Sequence, residues 1–436
     1  MRNLLLVLAL SAVTLFSCQS EKKQAQAPDF IRIENGQFIR NGEPYYYVGA
    51  NFWYGAILAS EGEGGNRERL HKELDYLKSI GVDNLRILVG ADGSNGIPTK
   101  VEPTLQTEPG VYNDTILSGL DYLMMELDKR DMYAILYLNN SWEWSGGYSM
   151  YLQWAGKGKA VVPAIDGWPQ YMEYVKQYVQ CDEAKALFAK HVDFILNREN
   201  RYTHRKYIED PAIMSWQIGN EPRAFSDENK PAFEKWIAEV AAQIRSIDPN
   251  HLISVGSEGK HGCEQDIDLF ERIHADKNID YLTLHMWPYN WGWVKEDSLS
   301  EGVAGAKEKA KAYLDEHLAL SAKYKKPAVM EEFGFPRDGF QFKKDIPTTA
   351  RDEFYRYIFE LISNDAKQKG YFAGCNFWGW GGFAELADDH INWMKGDDYT
   401  GDPAQEQQGL NSVFASDEST TQLIKEINTQ LGNVNK

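Results

Sequence analysis

Cysteine is scarce in this chain, with only four residues in 436. Cys18 stands apart near the start. The remaining three, Cys181, Cys263 and Cys375, are odd in number and widely spaced, so they do not read as a disulfide framework. No C-x-x-C or His-x-x-x-His spacing points to a metal site, and no G-x-x-x-x-G-K-[ST] loop is present to cradle phosphate. The absence of a Gly-rich nucleotide loop also argues against a doubly wound dinucleotide-binding sheet. Basic residues are outnumbered, 46 Lys and Arg against 64 Asp and Glu. The net charge of −18 would repel a phosphate backbone, which makes nucleic acid a poor partner. After the first residues, no segment is apolar over the roughly 20 positions a membrane helix needs.

Aromatics are plentiful: 13 Trp, 24 Tyr and 19 Phe. Many Trp lie beside Gly and Asn in expected loops, where a core role is harder to assign. The flat faces of Trp and Tyr suit the C–H faces of sugar rings.

The N-terminus reads as a targeting segment. Arg2 precedes an apolar run from Leu4 to Phe16, the length of a signal h-region. Leu15-Phe16-Ser17-Cys18 resembles the lipobox of bacterial lipoproteins. That resemblance implies a signal peptide over 1–17, lipid on Cys18 and a polar tether over 18–29. The expected location is then the bacterial cell envelope, lipid-anchored in the outer membrane and facing the periplasm or the surface. A plainly secreted protein is the alternative.

From about residue 30 strands and helices alternate. Strand-like runs cover Tyr45–Asn51, Asp83–Val89, Tyr133–Asn139, Ala212–Gly219, Leu252–Gly256, Tyr281–His285, Ala328–Glu332 and Gly370–Trp378. Helical spacing follows each strand or a long excursion; Leu70, Leu74 and Leu77 mark the first such stripe. Eight βα units predict an α/β protein, a (β/α)8 TIM barrel in a single catalytic domain over 30–436. Active sites of such barrels lie at the C-terminal ends of the strands. Two excursions leave that face, 140–180 and 383–413. The first carries Trp142, Trp144, Trp154 and Trp168 and the second Trp393. Loops so long are usually functional.

The polar residues that end the strands carry the chemistry. Strand two carries Arg86, strand three ends at Asn139-Asn140, strand four at Asn220-Glu221, strand six at His285, strand seven at Glu332 and strand eight at Trp378. Glu221 and Glu332 are the expected catalytic pair: two carboxylates roughly 5–5.5 Å apart perform retaining glycoside hydrolysis. In this scheme Glu332 attacks the anomeric carbon, and Glu221 protonates the leaving oxygen and then activates water. Arg86 orients Glu332, Asn220 meets the sugar 2-OH, His285 orients the acid or the sugar, and Trp378 forms the floor, with Trp380 its rival. Neighbouring strand residues point to opposite faces, so Glu331 is expected to face the helices or a loop.

These segments resemble glycoside hydrolase family 5, and within it the endo-β-1,4-mannanase branch. The matching residues are Gly49-Ala50-Asn51-Phe52-Trp53, Asn84-Leu85-Arg86, Asn139-Asn140-Ser141-Trp142 with Gly146-Gly147, Gly219-Asn220-Glu221-Pro222, His285, Glu332-Phe333-Gly334 and Trp378. The resemblance implies the barrel, Glu221 as acid/base, Glu332 as nucleophile and no cofactor; no metal is expected from the spacings. Arg86, Asn140, Asn220, His285, Trp287, Trp378, Trp53 and Trp142 are the expected substrate-binding residues. β-Mannan or a related plant polysaccharide is the expected partner, and a monomer the expected state. One departure is Trp287, where many members carry a Tyr bonded to the nucleophile; Tyr289 is an alternative for that contact. An endo-β-1,4-glucanase, an exo-acting β-mannosidase and a non-catalytic glycan-binding lipoprotein remain open readings.

Overall fold

A computed structural model describes residues 29–434. Cys18 and the expected signal segment lie outside them. Eight parallel strands form the centre: β1 Tyr47–Asn51, β2 Asn84–Leu88, β3 Tyr133–Tyr137, β4 Ile213–Gln217, β5 Leu252–Ser254, β6 Leu282–Met286, β7 Ala328–Phe333 and β8 Phe372–Phe377. All eight are fully buried, as a parallel sheet covered on both faces requires. Ladders run in the order β5-β4-β3-β2-β1-β8-β7-β6. The remaining seam is bridged outside the ladders. Asp280 N donates to Ile253 O (2.9 Å), and Ser257 N donates to Thr283 Oγ1 (2.8 Å). The result is the nearly closed (β/α)8 barrel that the alternation predicts.

Eight main helices surround it: α1 Arg67–Ser79, α2 Asp114–Asp128, α3 Asp182–Leu196, α4 Lys230–Ile247, α5 Ile267–His274, α6 Leu299–Tyr324, α7 Thr349–Lys367 and α8 Glu418–Val434. Helix α1 shows how the sequence sets them. Asn66 caps its first turn by accepting from Arg69 N, and Leu70, Leu74 and Leu77 bury one stripe against the barrel. Gly81 then turns the chain with a positive φ of 81°. Among the described residues, no helix is long and apolar enough to cross a membrane.

Three features differ from the sequence reading. A small antiparallel sheet, Arg32–Glu34, Gln37–Arg40 and Glu43–Pro44, precedes β1. It packs Phe38 edge-on against Tyr281. The excursion over 140–180 is not plain loop: it folds into short helices Gly147–Trp154, Pro163–Asp166 and Trp168–Val175. The third concerns β7. Its register against β6 pairs Leu284 with Met330 and then His285 with Glu332, so Glu331 has no partner. This bulge breaks the alternation. Glu331 therefore faces the barrel interior and not the helices; Gln217 and Tyr281 bond its side chain.

Candidate active site

The C-terminal ends of the strands open into a cavity of about 520 Å³. Asn220, Glu221, Glu332, Trp142, Trp287 and Trp378 line it, as do Trp144, Trp168, Arg223, Glu258, Gln405 and Glu406. Glu221 and Glu332 are delivered by different strands. Each places an oxygen within 4.8 Å of the other and of a ring nitrogen of His285. His285 Nδ1 lies 2.8 Å from Glu221 Oε1 and 3.3 Å from Glu332 Oε2, bridging the pair. Inverting glycosidases hold their carboxyls about 6.5–9.5 Å apart, so this gap fits a retaining reaction. Among the described residues, these three form the only group whose donor atoms could converge on a metal ion. Arg86, bonded to Glu332, already supplies positive charge there.

Each carboxylate is held by its surroundings. Glu332 accepts from Arg86 Nη1. Arg86 is fully buried and donates in every direction: Nε to Gln217 Oε1 (2.8 Å), Nη1 also to Asn51 Oδ1 (3.0 Å), and Nη2 to Asn220 Oδ1 (2.8 Å). Only a guanidinium fork can serve four acceptors from one planar group. Glu221 takes a left-handed backbone with φ 51°. A non-glycine residue there is strained, and such strain concentrates at functional sites. It is pinned by Glu221 N donating to Gly256 O (3.0 Å), by Ser141 Oγ donating to Glu221 O, and by the Trp142 indole donating to Oε2.

Burial raises the Glu221 carboxyl above its ordinary range, against the opposing pull of Arg223, the Trp142 indole and Arg86. Burial likewise pushes up Glu332; Arg86 opposes it and the nearby Glu221 adds to it. Buried carboxyls this close titrate as a pair. The direct guanidinium contact favours the negative charge on Glu332 over Glu221. His285 is pushed well below its ordinary value by burial and by Arg86 and Arg223, so it stays neutral.

The expected binding residues divide. Asn220, Trp142, Trp287 and Trp378 line the cavity. Arg86, Asn140 and His285 do not; they lie beneath its surface and hold the residues that do. Asn140 Oδ1 accepts from Asn220 Nδ2 (3.2 Å) and from Trp142 N (3.0 Å). Asn220 spends its oxygen on Arg86 and one amide hydrogen on Asn140, leaving one hydrogen for a sugar hydroxyl. Trp53 is a correction. Its indole donates to Gly401 O (3.1 Å) and its ring packs edge-on to Trp144, so it buttresses the wall without lining it. Tyr289 donates to Glu296 and packs on Phe340, away from the nucleophile. Trp380, the rival floor, is fully buried and donates to Glu73 (2.8 Å); Trp378 holds the floor position, edge-on to Trp144 and Trp287.

Sequence reasoning passed over Arg223, Glu258, Gln405 and Glu406. Arg223 follows Asn-Glu-Pro directly, and its Nε donates to Glu258 Oε2 (2.6 Å). Burial pushes the Glu258 carboxyl to about 8, with Arg223 opposing. Glu258 stands just past β5, in Gly256-Ser257-Glu258, and a strand-end carboxylate was the available signal. Gln405 and Glu406 carry no such signal. They reach the cavity because Asp402 ties their loop by accepting from Gly409 N, Asn411 N and Ser412 N (2.9–3.1 Å).

A family model described as GH family 5 beta-mannosidase-like matches residues 28–436. Among curated relatives, a putative mannan endo-1,4-β-mannosidase 9 of Oryza sativa subsp. japonica is 28% identical over 390 residues, covering 85% of this chain and 86% of its own. Mannan endo-1,4-β-mannosidase 7 of Arabidopsis thaliana is 30% identical over 363 residues, covering 80% and 77%. Among solved structures, a glycoside hydrolase family 5 mannosidase from Rhizomucor miehei superposes with a TM-score of 0.85 at 32% identity, over 94% of this chain and 99% of that one. A glutamate-to-alanine variant of that enzyme was solved with mannosyl-fructose.

Proposed function

This chain belongs to the glycoside hydrolase family 5 β-mannosidase-like family, and from that premise we propose a retaining double displacement at Glu332 and Glu221. The protein is a glycoside hydrolase that cleaves β-mannosidic bonds. The observation that carries the mechanism is the short gap between the two carboxylates, bridged by His285.

In the first step Glu332 attacks the anomeric carbon of a mannosyl unit while Glu221 gives its proton to the departing oxygen. In the second, Glu221 takes a proton from water, and that oxygen displaces Glu332. Asn220 offers its free amide hydrogen to the 2-OH, and Trp378 lies under the ring. The named relatives support β-1,4-linked mannan-type chains as substrate. Trapping with 2-deoxy-2-fluoro-β-mannosyl fluoride tests the scheme. Mass spectrometry should find one mannosyl group on Glu332, and a label on any other residue, or none, rejects it.

Endo action on polymer follows the curated relatives. A second reading, exo action on chain ends, is favoured by Gln405 and Glu406. Gln405 Oε1 is a buried acceptor without a partner among the described residues; Glu406 Oε2 is also unbonded, while the Trp378 indole and Asp402 lie against the Glu406 carboxyl, and both side chains line the cavity. Buried acceptors left unbonded are costly, and hydroxyls of a terminal sugar would satisfy them. Product analysis on mannohexaose separates the readings: mannose released from the first time points means exo, mixed oligomers mean endo.

Residues 1–17 are further read as a signal peptide, Cys18 as lipid-bearing and 18–29 as a tether, with the catalytic domain over 30–436 acting as a monomer. The support is the apolar run before Leu15-Phe16-Ser17-Cys18. On this reading the enzyme sits in a bacterial cell envelope, and Cys18→Ala releases it from the membrane fraction. Retention of that variant in membranes overturns the anchor.

A further inference from the structure

We propose that Glu331 is a positioning residue: a standing counter-ion that keeps the buried Arg86 paired when Glu332 is esterified to the sugar. The inference rests on the double displacement proposed above.

Glu331 is fully buried and makes no contact with the cavity. The β7 bulge turns it inward beside Glu332. Its Oε1 accepts from Tyr281 OH (3.1 Å) and its Oε2 from Gln217 Nε2 (2.6 Å), while Oε2 stands 3.9 Å from Arg86 Nε. Burial raises this carboxyl to about 7, while Arg86, Gln217 and Tyr281 pull it down; both oxygens accept, which is the bonding pattern of a carboxylate. Tyr47 on β1, Tyr281 at the foot of β6, Arg86 on β2 and the adjacent Glu332 are the titratable groups that face it.

Gln217 links this carboxylate to the site. Arg86 Nε can only donate, so the Gln217 oxygen must face it (2.8 Å). The amide nitrogen then points away, to Glu331 and to Ser254 Oγ (3.0 Å). Glu331 thus fixes the direction of Gln217, and Gln217 fixes one edge of Arg86. The backbone joins in: Asn51 Nδ2 donates to Glu331 O (2.8 Å), and Asn51 Oδ1 receives Arg86 Nη1 (3.0 Å).

The reaction makes such a partner necessary. As Glu332 forms its bond to the anomeric carbon, the C–O bond to the leaving group breaks and Glu221 loses its proton to that oxygen. Charge is conserved, but the anion moves from Glu332, which touches Arg86, to Glu221, which does not bond it. A buried cation whose contact anion vanishes is strongly disfavoured unless another anion is near. Glu331 is that anion, one residue away and untouched by the chemistry.

The test follows trapping of Glu332 by 2-deoxy-2-fluoro-β-mannosyl fluoride, a direct readout of the first step. Glu331→Gln should slow trapping on the order of tenfold to a hundredfold, while substrate KM changes little. The double variant Gln217→Glu/Glu331→Gln moves the carboxylate one link closer to Arg86 and lets the new amide donate to it. It should recover trapping to within a few-fold of the unaltered enzyme. Wild-type trapping rate in Glu331→Gln overturns the proposal. So does a double variant no better than the single one, in rate or in folding. Absence of any label on Glu332 in the unaltered enzyme would instead reject the double displacement.

Discussion

The floor and the walls of one cavity are built by different rules. The floor comes from strand ends: Arg86, His285, Asn220 and Glu332 are each at most 2% exposed and bonded to one another. The walls come from the two excursions. Trp168 remains 51% exposed, packed edge-on to Trp142, and Gln405 and Glu406 keep unbonded acceptors. Buried side chains bonded to one another fix geometry before substrate arrives, as chemistry at a reacting carbon demands. The walls leave contacts for the substrate to complete. The comparison teaches that rate should depend on the floor, and choice of chain length on the walls.

The hardest blow to the floor is Glu332→Ala, expected to lower kcat by at least about 10⁴-fold while the fold and substrate binding persist. Steady-state kinetics beside a thermal melt checks it; intact activity would detach the chemistry from this strand end. Glu221→Ala should cost on the order of 10²–10⁴ in rate. It should also reshape the pH profile. A proton donor held above the ordinary carboxyl range by burial works while protonated, so the unaltered enzyme loses activity as pH rises through that value. In the proposed displacement Glu332 must be ionised, so activity should also fall on the acid side. Glu221→Ala should lose the alkaline limb and keep the acid one.

Arg86→Lys should strike rate and folding together, by about 3 kcal/mol of stability, because one ammonium cannot span Gln217, Asn51, Asn220 and Glu332. Chemical denaturation and kcat measured on the same preparation check that coupling. On the wall, Glu406→Ala should leave kcat on an aryl mannoside close to unaltered and raise activity on mannan relative to mannobiose. Equal loss on all three would place Glu406 with the floor. Smallest of all, Trp168→Ala should raise KM for oligosaccharides by about tenfold or less with kcat unchanged, the loss of one stacking face worth about 1 kcal/mol. A kcat effect there would erase the distinction between floor and walls.

The sequence reached the floor because its signals are local. A polar residue at the end of an apolar run marks a strand end, and eight such runs alternating with helices mark a barrel. Asn220-Glu221-Pro222 and Glu332-Phe333-Gly334 were legible for that reason. Trp53 misled because an aromatic at a strand end looks the same whether it faces a sugar or another Trp; its bond to Gly401, hundreds of positions later, decides between them. Glu331 misled because strict alternation assumes an unbroken ladder. The bulge against β6 is a property of two strands in register, and one strand's residues do not encode it.

What the chain alone determined is therefore the barrel and the two carboxylates at its mouth, because periodicity and strand-end chemistry are written in neighbouring residues. What tertiary structure alone decided is which oxygens meet: His285 between Glu221 and Glu332, Arg86 under both Glu331 and Glu332, and Gln405 and Glu406 at the wall. Those contacts join residues far apart in the chain, and barrel closure and loop anchoring through Asp402 set their distances.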